Sequence, residues 1–405
     1  MSNINDYLLW RGDVPISKKT EFNEIDSMIL ARFSYLRFDK IKMKNEDTIE
    51  SISNRMKNLD NDEFLYNGDK ELITYLGQSK RFKDMLVTDY VNNSDKQAEK
   101  QFGAITVHIS NKEMFISFIG TDSTVNGWKE DCNMAFMYNV PCQIAGKQYL
   151  EKVAQKYSNK RIRIGGHSKG GNVAVYSAIT ANKEVQDRII KVDNYDGPGF
   201  SKNIISKYED NKIINKIETF IPQDSIIGRM LNHKEKITIT LSIEKGIYQH
   251  DIYSWQVLAN RIIRNDKTTE NSEIINQTIN EWLANTNIQQ RKIFIDSLFE
   301  IVYSTDANTF GDISKSLSTS ATNALKKYQE IPQEDRKIMI AMMKLFLTSY
   351  MDVIKEKQTI KFETMKDEGK KKLQEFDEKH FARFKKKITK EINWKKGKSW
   401  YIKWN

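Results

Sequence analysis

The stretch "RIRIGGHSKGGNVAVYSA", Arg161 to Ala178, decides how this chain is read. Its first residues alternate isoleucine with arginine, the pattern of a short strand, Arg161 to Ile164. Its last part, Asn172 to Thr180, is a run of small and apolar residues that predicts a helix. Between them four glycines surround His167, Ser168 and Lys169. Glycines between a strand and a helix either only permit a tight turn or also expose a side chain for chemistry. Gly166 to Gly170 fits G-x-S-x-G, and the strand before and helix after it are the context of a nucleophile elbow, where a sharp turn lifts a serine Oγ above a sheet. Small residues are needed because strand and helix approach closely. The helix N-terminus aims free N–H groups and a positive dipole end at any oxyanion that forms. A phosphate-cradling loop is excluded by spacing, since no Gly-Lys-Ser/Thr follows at the required distance.

Outward from the elbow, strands and helices alternate. "AITVHIS-NK-EMFISFIG" predicts strands over Ala104–Ser110 and Met114–Ile119 joined by a polar turn. Val140–Tyr157 reads as a helix, and Ile189–Asp193, Ile217–Ile221 and Lys236–Ser242 as strands. This alternation implies an α/β fold with a largely parallel sheet. Phe22–Phe38 carries apolar residues at helical spacing. Met43–Lys100 is polar and mostly helical in pattern, a cap or a loose insertion. Beyond about Asn260 strand signals stop, and Ser272–Tyr303 and Gln333–Glu368 read as long helices. Three regions are expected: a sheet domain over 1–264, a helical domain over 265–369 and a basic, aromatic-containing tail over 370–405.

Composition narrows the function classes. Of 405 residues 39% are hydrophobic, enough for a core, and no apolar stretch is long enough to span a bilayer. No basic region followed by a long apolar run opens the chain, so no secretory signal is expected. Two cysteines, Cys132 and Cys142, make a disulfide framework an unsuitable reading and fit a cytoplasmic protein. Net charge is +10, and Lys366–Asn405 holds 14 basic against 6 acidic residues, so most of the excess sits in the tail. With Trp394, Trp400, Tyr401 and Trp404 among its lysines, the tail reads either as a segment for anionic membrane surfaces or as a solvated helix face. No nucleic-acid motif accompanies it, so nucleic acid is not an expected partner. No metal or cofactor is implied.

A nucleophilic serine needs a base and the base needs an acid, supplied in the order Ser, Asp/Glu, His on this kind of sheet. Of five histidines, His108 and His167 precede the serine and His380 lies in the tail. His233, in "MLNHKEK", looks like a helix end. His250, in "GIYQHDIYSWQ", follows the last strand in a loop that can swing an imidazole over the sheet, and is the favoured base. Asp196, in "VDNYDGPGF", and Asp224, in "TFIPQDSIIG", both end strands; Asp196 before Gly-Pro-Gly reads equally well as a turn former.

These segments together resemble the class 3 lipases, most closely a bacterial branch of lipase-like hydrolases. "FIGTDSTVNGWKEDCNMAF" resembles their strand-end F-R-G-T segment and "GGHSKGGNVAVYSA" their GHSLGG elbow. "NYDGPGF" resembles their FGxPRxG loop, "IPQDSIIG" the loop of the catalytic aspartate and "QHDIYSW" that of the histidine. The resemblance spans roughly residues 5 to 260. It implies an α/β-hydrolase fold and a serine hydrolase cleaving an acyl ester, lipid-like in character, through an acyl-enzyme. Ser168 then resembles the nucleophile, Asp224 the acid and His250 the base. Thr121, by its N–H and hydroxyl, and the N–H of Lys169 resemble the oxyanion donors. Ile119 stands where the family has arginine, and Asp122 beside the oxyanion site could oppose negative charge. The alternative is a hydrolase fold serving as a binding or scaffold module.

Overall fold

The computed structural model describes residues 2–44, 46–95, 100–121, 125–134, 137, 139–208, 211–305 and 317–398. It divides into two units, Met1–Leu347 and Thr348–Asn405. The first opens with α1 (Ile4–Arg11) and α2 (Glu24–Phe33), each started by an asparagine capping box at Asn3 and Asn23. Then come β1 (Asp47–Thr48), α3 (Ile49–Met56), α4 (Asp69–Gln78), β2 (Leu86–Asp95), β3 (Lys100–Ser110) and β4 (Glu113–Ile119). After α5 (Val125–Asn133) and α6 (Pro141–Lys156), β5 (Arg161–His167) leads into α7 (Lys169–Thr180). There follow α8 (Lys183–Arg188), β6 (Ile189–Tyr195), α9 (Lys202–Tyr208), β7 (Ile217–Pro222), β8 (Lys236–Thr240) and a short ribbon of β9 (Val257–Leu258) and β10 (Arg261–Ile262). Helices α10 (Glu270–Ala284), α11 (Ile288–Tyr303), α12 (Leu317–Glu330) and α13 (Gln333–Lys398) complete the chain.

Among the described residues β1 to β8 form one sheet in sequence order. The pairs from β1 to β4 are antiparallel and those from β4 to β8 parallel. This is the α/β-hydrolase sheet, with an additional helical region after it. Side chains alternate across it as the pleat requires. Phe115 joins one core with α1 to α4, while Met114, Ile116 and Phe118 join the other with α6 and α7.

Register positions the site. Phe118 of β4 and Asn194 of β6 are both Cα partners of Gly166 on β5, one on each side. Two residues further along each strand stand Gly120, Ser168 and Asp196, so three strands deliver their ends to one edge of the sheet.

The segment Met43–Lys100 is no loose insertion. It supplies β2, and its Ile49, Ile52, Met56, Leu72, Ile73 and Leu76 are fully buried in the first core. Two internal ion pairs tie it to α2: Arg32–Asp69 at 2.6 Å and Arg81–Asp26 at 2.5 Å. Strand β2 escapes the sequence pattern because it pairs near the sheet's edge and keeps much of its length half-exposed and polar. The boundary expected near residue 264 also moves: α10 and α11 belong to the first compact unit. Val125 of α5 packs against Ile295 and Phe299 of α11, and Trp282 Nε1 donates to the Met342 carbonyl at 3.0 Å. Asp122 and, in the tail, residues 399–405 lie outside the described residues. Among the described residues no helix is long and apolar enough to cross a membrane.

Candidate active site

Ser168 occupies the turn between β5 and α7 with φ +57° and ψ −132°, a conformation that costs an L-residue strain and is held only by its surroundings. Its N–H donates to the Tyr195 carbonyl at 2.9 Å, bonding the turn to β6. The flanking glycines are obligatory. A Cβ on Gly166 would lie 2.3 Å from the Gly170 backbone, and one on Gly170 would lie 2.2 Å from the Phe118 carbonyl oxygen. Lys169 is the first residue of α7, so its N–H is one of those a helix leaves without an internal acceptor.

His250 ends a turn, Gly246–His250, that follows β8. Its Nδ1 lies 2.7 Å from Asp196 Oδ2. Nδ1–H donating to that carboxylate leaves Nε2 as the unprotonated, basic nitrogen. Asp196 is 1% exposed and has φ +51°. Its Oδ1 accepts from Ser225 Oγ at 2.5 Å and from the Gly228 N–H at 3.1 Å. A carboxylate so held can orient an imidazole and stabilise its cation.

The structure therefore corrects the expectation for Asp224. Its Oδ2 accepts from the Gly246 N–H at 2.5 Å, its Oδ1 from the Thr269 hydroxyl, and its own N–H donates to Gln249 Oε1 at 2.7 Å. Asp224 thus anchors the turn that carries His250 instead of touching the imidazole. The reason is topological. Asp196 leaves β6, next to the serine's strand, whereas Asp224 leaves β7, one strand further away, where a sheet adds about 4.8 Å per strand. The loop "IPQDSIIG" still serves the site, through Ser225 and Gly228.

His167, which the sequence reading set aside, holds His250 from behind. Its Nε2 meets the His250 carbonyl at 2.7 Å and the two rings stand 4.5 Å apart. Burial, with the His250 and Arg32 charges, holds its pKa well below the ordinary histidine range, so it stays neutral. Tyr35 in turn donates its hydroxyl to the His167 carbonyl at 2.8 Å.

Thr121 follows β4. Its hydroxyl donates to Asp131 Oδ2, which commits that proton and leaves the Thr121 N–H as the donor available to an oxyanion. The Asp131 carboxyl is pushed up to about 6, chiefly by burial, with the Lys169 cation and the Thr121 hydroxyl acting against it. Asp131 was not anticipated from the sequence; its place ten residues after Thr121 carries no periodic signal.

Ser168, His250, Thr121, Lys169 and Asp131 all line one cavity of about 710 Å³. Its far wall is apolar: Ile279, Trp282 and Leu283 of α10 with Phe294, Ile295 and Leu298 of α11. Trp128, Ile247 and Tyr248 line it too and are exposed, so the apolar wall reaches the surface. A strained serine, a histidine paired to a buried carboxylate and free N–H groups at one end of an apolar chamber suit acyl transfer to and from a hydrophobic substrate.

A model of the Mbeg1-like family matches residues 76–300, more than half of the chain. The chain belongs to the Mbeg1-like family. The matched span runs from the last residues of α4 into α11, so it takes in β2 to β8 and the helices α10 and α11 that roof the cavity, the latter all but its last residues. No curated protein matches the sequence. Similar solved structures include a fungal lipase in complex with an inhibitor, described as a model for interfacial activation in lipases: 13% identity over 50% of this chain and 70% of that one, TM-score 0.34. A mutant form of MDLA from Penicillium cyclopium gives 13% identity over 64% and 91%, TM-score 0.37. Lip2 lipase from Yarrowia lipolytica gives 11% identity over 54% and 82%, TM-score 0.30.

Proposed function

We propose that this Mbeg1-like protein is a serine ester hydrolase acting on an acyl ester of lipid-like character. The observation that carries the reading is the 2.7 Å contact of His250 Nδ1 with buried Asp196 in the cavity where Ser168 stands on its elbow. In this mechanism Ser168 Oγ attacks the ester carbonyl carbon and passes its proton to His250 Nε2. Asp196 stabilises the resulting imidazolium. The carbonyl oxygen, now an oxyanion, accepts hydrogen bonds from the N–H groups of Lys169 and Thr121. Collapse of the intermediate breaks the C–O bond as His250 returns the proton to the leaving alcohol. Water, deprotonated by His250, then attacks the acyl-enzyme, and the carboxylic acid departs from Ser168. The apolar wall of α10 and α11 receives the acyl chain.

The tail from residue 370 is proposed to bring the hydrolase to anionic lipid surfaces, motivated by its basic excess. Salt-sensitive sedimentation with phosphatidylglycerol vesicles, lost from a chain ending at Glu368, is the expected result.

The test of the activity is a fluorophosphonate probe together with a panel of esters of graded chain length. Ser168 is expected to be the labelled residue and Ser168→Ala to lower turnover about 10³-fold or more. Labelling that survives Ser168→Ala, or a folded wild-type protein inert to probe and esters alike, favours the scaffold reading.

A further inference from the structure

The residue after the serine is a lysine, and its side chain turns away from the cavity into the protein. Lys169 is 1% exposed. Its Nζ donates to the Gln101 carbonyl at 3.1 Å, to Gln101 Oε1 at 2.5 Å and to Glu130 Oε2 at 3.0 Å, which uses all three ammonium protons. Glu130 is fully buried and equally occupied. Its Oε2 also accepts from the Gln101 N–H at 3.0 Å, and its Oε1 from the N–H of Cys142, in the first turn of α6, at 2.9 Å. One ion pair therefore joins the elbow, β3, α5 and α6.

What α5 carries gives this pair its consequence. Glu130 is followed by Asp131, the acceptor of the Thr121 hydroxyl. Lys169 therefore contributes twice to the oxyanion site: its N–H is one donor, and its side chain fixes the helix that holds Thr121, the other. The two donors come from different strand ends, β5 and β4. Oxyanion stabilisation depends on donors fixed in advance of the charge they meet. A buried ion pair is a weak source of net stability, because desolvating both charges offsets their attraction. Its presence here is better explained by the geometry it enforces.

We infer that the buried Lys169–Glu130 pair is a positioning device that sets the spacing of the two oxyanion donors. The inference rests on the hydrolase reading and adds to it a role for two side chains that never meet substrate. It separates from a merely structural role because it acts on the transition state, not on substrate binding, and acts through Thr121.

The experiment replaces both charges, Lys169→Met with Glu130→Gln, so that no unpaired charge is left and residue 130 keeps one amide oxygen to accept from either the Cys142 or the Gln101 N–H. Turnover of a long-chain ester is measured in this variant, in Thr121→Val, which removes the hydroxyl that Asp131 holds, and in the combination. The double replacement is expected to lower kcat about 10²-fold with KM within about twofold of wild type. In the Thr121→Val background the same replacement is expected to cost less than about threefold, because the anchor has already been lost. Wild-type kcat in the double variant, or losses that simply multiply, overturns the inference and leaves the hydrolase reading standing. Wild-type turnover that Ser168→Ala does not abolish overturns both. Should the double variant not fold, Glu130→Gln alone keeps an acceptor for Lys169. It is then expected to lower kcat about tenfold at constant KM, with the loss suppressed by Thr121→Val; unchanged kcat overturns the inference.

Discussion

The imidazole of His250 takes Asp196 as its partner, at 2.7 Å, across 54 residues of sequence. Asp224, 26 residues before the histidine, instead holds the Gly246 N–H at the start of the histidine's own turn. The two aspartates divide the work that the resemblance assigns to Asp224 alone: Asp196 holds the ring, and Asp224 shapes the backbone that presents it.

This division predicts opposite signatures. Asp196→Asn is expected to cut kcat by about 10⁴-fold with little change in melting temperature, as loss of the orienting carboxylate does in serine hydrolases. Asp224→Asn is expected to lower the melting temperature by a few degrees and to reduce kcat by no more than about tenfold. Steady-state kinetics and calorimetry on the two variants check it; a larger kinetic loss in Asp224→Asn reverses the assignment.

The glycines of the elbow permit a close approach of backbone to backbone. Gly170→Ala would set a Cβ 2.2 Å from the Phe118 carbonyl oxygen and 2.9 Å from the Gly120 nitrogen, neither of which can rotate away. The expected loss is about 3 kcal/mol or more of stability, with β4 and α7 forced apart. Denaturant unfolding measures it. A variant as stable as the wild type would mean that the helix and the strand can separate at little cost.

On the proposed hydrolase reading, the roof helices α10 and α11 set the acyl preference. Burying each added methylene in the apolar wall is worth about 0.8 kcal/mol, so kcat/KM is expected to rise up to about fourfold per CH₂ until the cavity is full. Ile279→Trp narrows that wall, and it is expected to move the optimum to shorter esters while leaving hydrolysis of the shortest ester near wild type. A chain-length profile identical to the wild type's would remove α10 from the substrate site.

One buried carboxyl lies outside this site and reports on pH. The Asp193 carboxyl, on β6, is raised to about 6, chiefly by burial, with the Lys191 cation opposing. Its Oδ1 is buried without a hydrogen-bond partner. The folded state then binds more protons at this group than the unfolded state between about pH 4 and pH 6, so its contribution to stability falls as pH rises through that window. Asp193→Asn removes the titration. Melting temperatures taken across this range are expected to show the variant gaining on the wild type as pH rises, and parallel curves would contradict the assignment.

The sequence by itself determined the strand–turn–helix of the elbow, the serine upon it, the parallel half of the sheet and the histidine. Each of these is local: alternating isoleucines, glycines at fixed offsets, a small-residue helix, a loop after the last strand. It also placed two aspartates at the ends of strands after the elbow, one of which meets the histidine. Which one it could not determine, because Asp196 and Asp224 have the same local signature and differ only in which strand lies beside β5. Register decides that, and register is fixed by pairings such as His167 with Tyr195 and Tyr195 with Phe220, which join residues far apart in the chain. The same holds for Asp131, for the side chain of Lys169 and for the roof. Helices α10 and α11 read as a separate domain because their periodicity shows an apolar face without showing what it covers. Only the folded chain brings Trp282, Phe294 and Leu298 to the cavity of Ser168, where the hydrophobic effect is satisfied by any apolar partner and the tertiary arrangement chooses this one.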